Sequence, residues 1–290
     1  MHDSHIHISM SPLRENINSD IEEFLTLNGK KILAQTTQYS DYQSTIQLRE
    51  SINNTYGEIV DLAVGLHPSR FEEGLAKNEL KDIDIFKYGQ KQFDIFKEIL
   101  DRNIKEVNAI GECGLDYFGM YQYNQFTNIQ QEELKEVQRR IFTKICKISL
   151  KYNLPMSIHS RDIQGSSPCT KDTLSILAKV GKGLIKGSFH SYTGEKEMLN
   201  RILDMGMYIG YNGIITYPSG ENVREILKYT PLERILFETD GPFLPTQSIR
   251  KNKKAPKRYG RPSLIQEIVS KAAEIKGVSY DRMEEITDLN

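Results

Sequence analysis

The feature that most constrains the fold of this chain is a repeat of eight short β-branched runs, separated by longer stretches with helical periodicity. The runs are "MHDSHIHI", "KILAQTT", "IVDLAVGL", "VNAIGE", "LPMSIHS", "LIKGSF", "MYIGYNG" and "RILFETD". Near-continuous apolar runs suit parallel strands buried on both faces, and parallel neighbours need a helical crossover between them. In "QQEELKEVQRRIFTKICKISLKYN", Leu134, Val137, Ile141, Ile145 and Ile148 recur every three or four residues and make one apolar stripe. "SPCTKDTLSILAKVGKG" places polar capping residues before Leu174, Leu177 and Ala178, with glycines where the helix should stop. Eight such units predict an α/β fold, a (β/α)8 TIM barrel rather than an open doubly wound sheet. No Gly/Ser linker or low-complexity tract divides the chain, so residues 1–290 are expected to form a single domain. Residues 75–105 hold more sequence than one helix requires, which predicts an extra helix or an extended loop.

In such a barrel the C-terminal strand ends converge on one face, where active sites of the fold are built. Those ends carry His5, His7, His67 in "GLHP", Glu112, His159 in "SIHSRD", His190 in "SFHSYTG" and Asp240 in "FETDGP", which includes five of the six histidines. His5 and His7 lie two apart on a strand, so both can grip one divalent ion, as imidazoles do with zinc or manganese. His159 and His190 come from other strands and can hold a second ion. Glu112 would lie between, a buried carboxylate whose charge is shared by cations rather than left unpaired. Asp240 would complete the first ion and accept a proton from the attacking water. A lone strand-end histidine is ordinarily a hydrogen-bonded structural residue, but that explanation does not cover a convergent set. His67 reads equally as part of a turn, because Pro68 follows it, and His2 has no assigned role.

Asp3 and Glu238 each precede a proposed ligand by two residues and are expected to orient imidazoles or carry charge in the barrel interior. Arg161, two beyond His159, suits a phosphate with its planar fork; helix capping or a surface ion pair explains it equally well. The stretch "RKNKKAPKRYGRP", residues 250–262, leaves the eighth run and is expected to hang over the same face. Lys253, Lys254 and Lys257 would contact a phosphate backbone there and Tyr259 would stack on a base; a solvated basic loop is the plainer alternative. Such attraction must be local, since 38 Lys and Arg against 39 Asp and Glu give a formal charge of −1. Three widely spaced cysteines make neither a disulfide framework nor a zinc knuckle and are read as packing residues. The opening has no signal-peptide pattern, and no run approaches the roughly 20 apolar residues that span a bilayer. A soluble protein of the cytoplasm, or of the nucleus in a eukaryote, is expected.

Taken in order, these motifs resemble the TatD family of metal-dependent deoxyribonucleases, within the amidohydrolase-like barrels. "DSHIH" resembles the family's DxHxH, "IGECGLDY" its GE-x-GLDY, "SIHSR" its HxR, "FHSYTG" its H-x-F-T/S-G and "ETDGPFL" its ETD-x-P. The resemblance implies His5, His7, Glu112 and Asp240 around one metal and Glu112, His159 and His190 around the other, with Arg161 and His67 at the substrate phosphate. It also implies Mg²⁺-dependent cleavage of DNA, commonly as a 3′-to-5′ exonuclease; a monomer without a membrane partner is expected. Two departures stand out. "RYGRP" replaces an R-N-x-P-like element, and the chain ends at "EEITDLN" rather than in an N-x-x-R-L-F-like element, so the last helix is expected to be less well anchored. The alternatives are a two-metal amidohydrolase or lactonase of a small molecule, a D-aminoacyl-tRNA deacylase, and a barrel that binds nucleic acid without turnover. Glu112 stands where many small-molecule amidohydrolases have a carbamylated lysine, which favours the nuclease branch.

Overall fold

All eight runs become strands: β1 His2–Ile6, β2 Lys31–Gln35, β3 Val60–Leu66, β4 Ala109–Asp116, β5 Met156–Arg161, β6 Gly187–Phe189, β7 Tyr208–Tyr211 and β8 Ile235–Phe237. The structure is a computed structural model and describes residues 1–77, 84–122 and 126–290. Each strand pairs in parallel with its sequence neighbour, in the order β1 to β8. The ring closes at its C-terminal rim, where the Asp240 amide donates to the His5 carbonyl at 2.9 Å and the His7 amide to the Gly241 carbonyl at 2.7 Å. The outcome is the expected (β/α)8 barrel.

Helices cover the outside because their sequence stripes match a curved apolar wall. The helix Asn128–Tyr152 buries Leu134, Val137, Ile141, Ile145 and Ile148, begins in a Thr127–Gln130 capping box and ends on Asn153 in the left-handed region, φ 51°. The helix Pro168–Gly181 buries Leu174 and Leu177 but leaves Ala178 exposed. Between β3 and β4 lie two helices, Ser69–Ala76 and Ile85–Asn103, which account for the surplus length; residues 78–83 of that stretch lie outside the described residues. The last helix, Tyr280–Thr287, is anchored better than its sequence implied. It buries Met283 and Ile286, and the Asn290 amide reaches the carbonyls of Leu232 and Ile235 at 2.8 and 2.7 Å. Cys113, Cys146 and Cys169 are buried and unpaired. Among the described residues no helix is long and apolar enough to cross a membrane.

Pairing slips between Asp3 and Ile6 in β1, between Val64 and Leu66 in β3, and between Ile110 and Cys113 in β4. Irregularities of this kind re-aim side chains, and here two of them bracket His5 and Glu112. Close approach of β3 to β4 depends on Gly65, whose place a Cβ could not share with the Glu112 backbone at 2.3 Å.

Candidate metal centre

Glu112 sits at the middle of the site, its side chain 5% exposed, and its two oxygens face different partners. Oε2 lies 3.5 Å from Nε2 of both His5 and His7. Asp240 Oδ1 is 3.4 Å from His7 Nε2 and 3.8 Å from His5 Nε2, and the two imidazole nitrogens are 3.3 Å apart. Four ligand atoms at about 2.1 Å from a cation stand about 3.4 Å apart when arranged tetrahedrally, so this donor set has the spacing and the chemistry to hold a divalent ion. Oε1 faces the other way, 2.8 Å from His159 Nδ1, 2.9 Å from His190 Nε2 and 3.3 Å from His67 Nε2. These shorter separations are hydrogen-bond lengths. His5, His190 and Asp240, His5, His7 and Glu112, and His67, Glu112 and His159 each converge closely enough to hold an ion.

Several of the imidazoles have a polar group behind them, whereas His7 Nδ1 is buried without a hydrogen-bond partner among the described residues. His159 Nε2 meets Asp116 Oδ2 at 3.0 Å, His190 Nδ1 stands 3.3 Å from Glu238 Oε1, and His5 Nδ1 meets Ser157 Oγ at 2.9 Å. Outer contacts of this kind fix ring orientation and raise ligand basicity. Glu238 lies beside the His190 ring, within ion-pair distance of its Nδ1. Asp3 does not: it accepts from the Thr239 amide at 2.9 Å and hydroxyl at 2.5 Å, tying β1 to the segment after β8. Burial pushes the Asp3 carboxyl up to about 7. Asp240, just beyond, is held at φ 54°, a left-handed backbone unusual for a side-chain-bearing residue and fixed here by its bond to His5.

The charges suit a cation site. Burial opposes ionisation of Glu112, but His67 and His190 beside it hold its carboxyl well below the usual range. Asp240 is likewise held down by His7, against its burial. Burial works against a charged His159, yet its bonds to Asp116 and Glu112 push it up to about 9. A concentration of negative charge that stabilises imidazolium also stabilises a bound metal ion.

These groups line a cleft of about 500 Å³ together with Arg161, Phe243 and Glu72. His67 belongs to this site, its Nδ1 held by Ser69 Oγ at 2.7 Å. β5 extends through Arg161, whose guanidinium lies 4.1 Å over the Phe118 ring. The basic stretch behaves differently from expectation. Tyr259 is 8% exposed and donates to Asp20 at 2.8 Å, so it is not free to stack on a base. Lys257 reaches the same Asp20 at 2.5 Å, and Arg261 pairs with Glu23 at 3.2 Å, pinning this part of the loop to the first helix, Leu13–Thr26. Arg250, Lys251, Lys253, Lys254 and Arg258 stay solvent-exposed, and neither Lys253 nor Lys254 lines the cleft. The exposed aromatic on this face is Phe243, 51% exposed, with its ring 5.9 Å from that of His7. Asp116 lies inside the "GLDY" motif and shares the parity of Glu112, a signal that could have marked it; nothing in the sequence marks Glu72 or Ser157.

Five imidazoles and the Asp240 carboxylate gathered around one shared glutamate at the strand ends of a barrel are the donor set of a metal-dependent hydrolase. The chain belongs to the TatD family: the family described as TatD related DNase matches residues 2–290. It is 26% identical over 292 residues to the metal-dependent hydrolase YcfH of Escherichia coli K12, covering 99% of this chain and 92% of that one. A TatD family hydrolase from Entamoeba histolytica superimposes with a TM-score of 0.77 at 22% identity, covering 99% of this chain and 95% of the other. YJJV, a TatD homolog from Escherichia coli K12, gives 0.72 at 20% identity, over 100% and 95% of the two chains.

Proposed function

We propose that this protein is a two-metal phosphodiesterase acting on DNA, removing nucleotides from single-stranded or frayed 3′ ends. The observation that carries the reading is the division of the Glu112 carboxylate, one oxygen toward His5 and His7 and the other toward His159 and His190. His5, His7, Glu112 and Asp240 would hold one ion, and Glu112, His159 and His190 the other. Two divalent ions, Mg²⁺ in the working enzyme with Mn²⁺ or Zn²⁺ able to take the same ligands, would supply Lewis acidity and lower the pKa of the attacking water.

Asp240 is ionised and points Oδ1 into the cleft beside His7, so it accepts the proton that the attacking water gives up. Arg161, resting over the Phe118 ring, would offer its guanidinium fork to a phosphate. His67 lies beside the same oxygen of Glu112 and is placed to contact that phosphate. Phe243 presents an open ring for a terminal base, and Lys253 and Lys254 attract the flanking backbone. The test is a single-stranded oligonucleotide of DNA carrying a 5′ label, incubated with Mg²⁺, Mn²⁺ or EDTA. A metal-dependent ladder of products shortened one nucleotide at a time is expected. Intact DNA with every metal, alongside turnover of lactones or D-aminoacyl-tRNA, would overturn the reading.

A further inference from the structure

Glu72 stands in the cleft without a role in the chemistry above. It lies on the helix Ser69–Ala76, five residues after His67, and shares the cleft lining with Asp116, Gly119, His159 and Arg161. The residue is 2% exposed, and its Oε2 is buried with no hydrogen-bond partner among the described residues. Its neighbour Glu73 is already engaged by Lys77 at 3.2 Å. Room for the Glu72 carboxyl exists only because residue 119 is glycine, since a Cβ there would lie 2.2 Å from Oε1.

We propose, building on the phosphodiesterase reading, that Glu72 is the proton donor to the leaving oxygen. An ionised carboxylate buried without partners is strongly unfavourable, whereas a neutral carboxyl with a free O–H can sit there and donate. Asp116 beside it is instead ionised: the Gly119 amide at 2.7 Å and His159 at 3.0 Å keep it so. Burial and the nearby Asp116 charge, with Glu73 adding to them and His159 and Arg161 opposing, push the Glu72 carboxyl up to about 9. Glu72 held neutral and Asp240 held ionised in one cleft are the usual mark of assigned acid and base roles. In the proposed step the water oxygen forms the new P–O bond as its proton goes to Asp240. The bond from phosphorus to the 3′ oxygen of the shortened strand breaks, and that oxygen keeps the electron pair. The Glu72 proton then completes a 3′ hydroxyl, and solvent restores both carboxyl groups.

The experiment compares wild type, Glu72→Gln and Glu72→Asp on thymidine 5′-phosphodiesters whose leaving groups run from 4-nitrophenol to ethanol. An aryl oxide leaves without protonation, whereas an alkoxide requires it. Loss of the acid is therefore expected to lower kcat on the ethyl ester by about 10²-fold or more while changing the nitrophenyl ester by less than about threefold. Glu72→Asp, which keeps an acid, is expected to recover part of the ethyl-ester rate. Equal losses on both esters, or an unchanged ethyl-ester rate in Glu72→Gln, would overturn the proposal. If wild type leaves DNA intact but hydrolyses the diesters, the DNA reading fails and the leaving-group slope still decides the role of Glu72. If wild type hydrolyses none of them, both readings fall.

Discussion

Asp116 holds Nε2 of His159 at 3.0 Å while Nδ1 of the same ring faces Glu112 Oε1 at 2.8 Å, so one carboxylate aims an imidazole at another. Removing the charge but keeping the shape, as in Asp116→Asn, frees the ring to rotate and lowers its basicity. Affinity for Mn²⁺ or Zn²⁺, measured by calorimetry, is expected to fall by about 10–100-fold with an unchanged circular dichroism spectrum. Undiminished affinity would mean that Asp116 only braces the loop at Gly119.

Metal-free protein should lose stability with rising pH partly through Glu72. Its folded-state value of about 9 lies above the unfolded 4.5, so between these limits the folded state binds the proton that the unfolded chain has lost. Stability from this group is full below about pH 4.5 and is lost progressively as pH rises toward 9, by up to about 1.4 kcal/mol per unit. Thermal melts in EDTA from pH 6 to 9 are expected to show Glu72→Gln gaining on wild type as pH rises. Parallel curves would contradict the assignment.

The basic loop should divide into two kinds of residue. Alanine at Lys253 and Lys254 is expected to raise KM for an oligonucleotide in low salt, with the effect shrinking as salt screens the charges. Tyr259→Phe removes a buried bond to Asp20 and is expected to cost about 1–3 kcal/mol of stability in denaturant melts, with KM unmoved at every salt concentration.

Phe243→Ala should weaken oligonucleotide binding by about 1–3 kcal/mol, the usual worth of one base stacked on an aromatic ring. The measured quantity is KM for DNA against KM for a nitrophenyl phosphodiester. A rise in the first alone supports stacking, and equal changes in both would show that the ring instead shapes the metal centre.

The eight strands were legible because parallel strands buried on both faces are written as uninterrupted apolar runs. The cluster of candidate ligands was legible because the barrel brings strand ends together and His5 and His7 share a parity. What the sequence concealed depended on contacts across the chain. Asp3 faces Thr239 rather than an imidazole, and Tyr259 turns inward because Asp20, on the first helix, offers a buried acceptor. Slips in β1 and β4 break the two-residue period near His5 and Glu112, so strand parity alone does not fix which groups those side chains meet. Glu72 follows from packing, since its pocket is made by a glycine on another segment.

The most direct test of the central claim is anomalous diffraction from crystals of wild type and Glu112→Gln soaked in Mn²⁺. Two peaks are expected in wild type, one ringed by His5, His7 and Asp240 and one by His159 and His190, with a Glu112 oxygen on each, and loss of at least one peak in the variant. A single peak in wild type, or two unchanged peaks in Glu112→Gln, would contradict that claim.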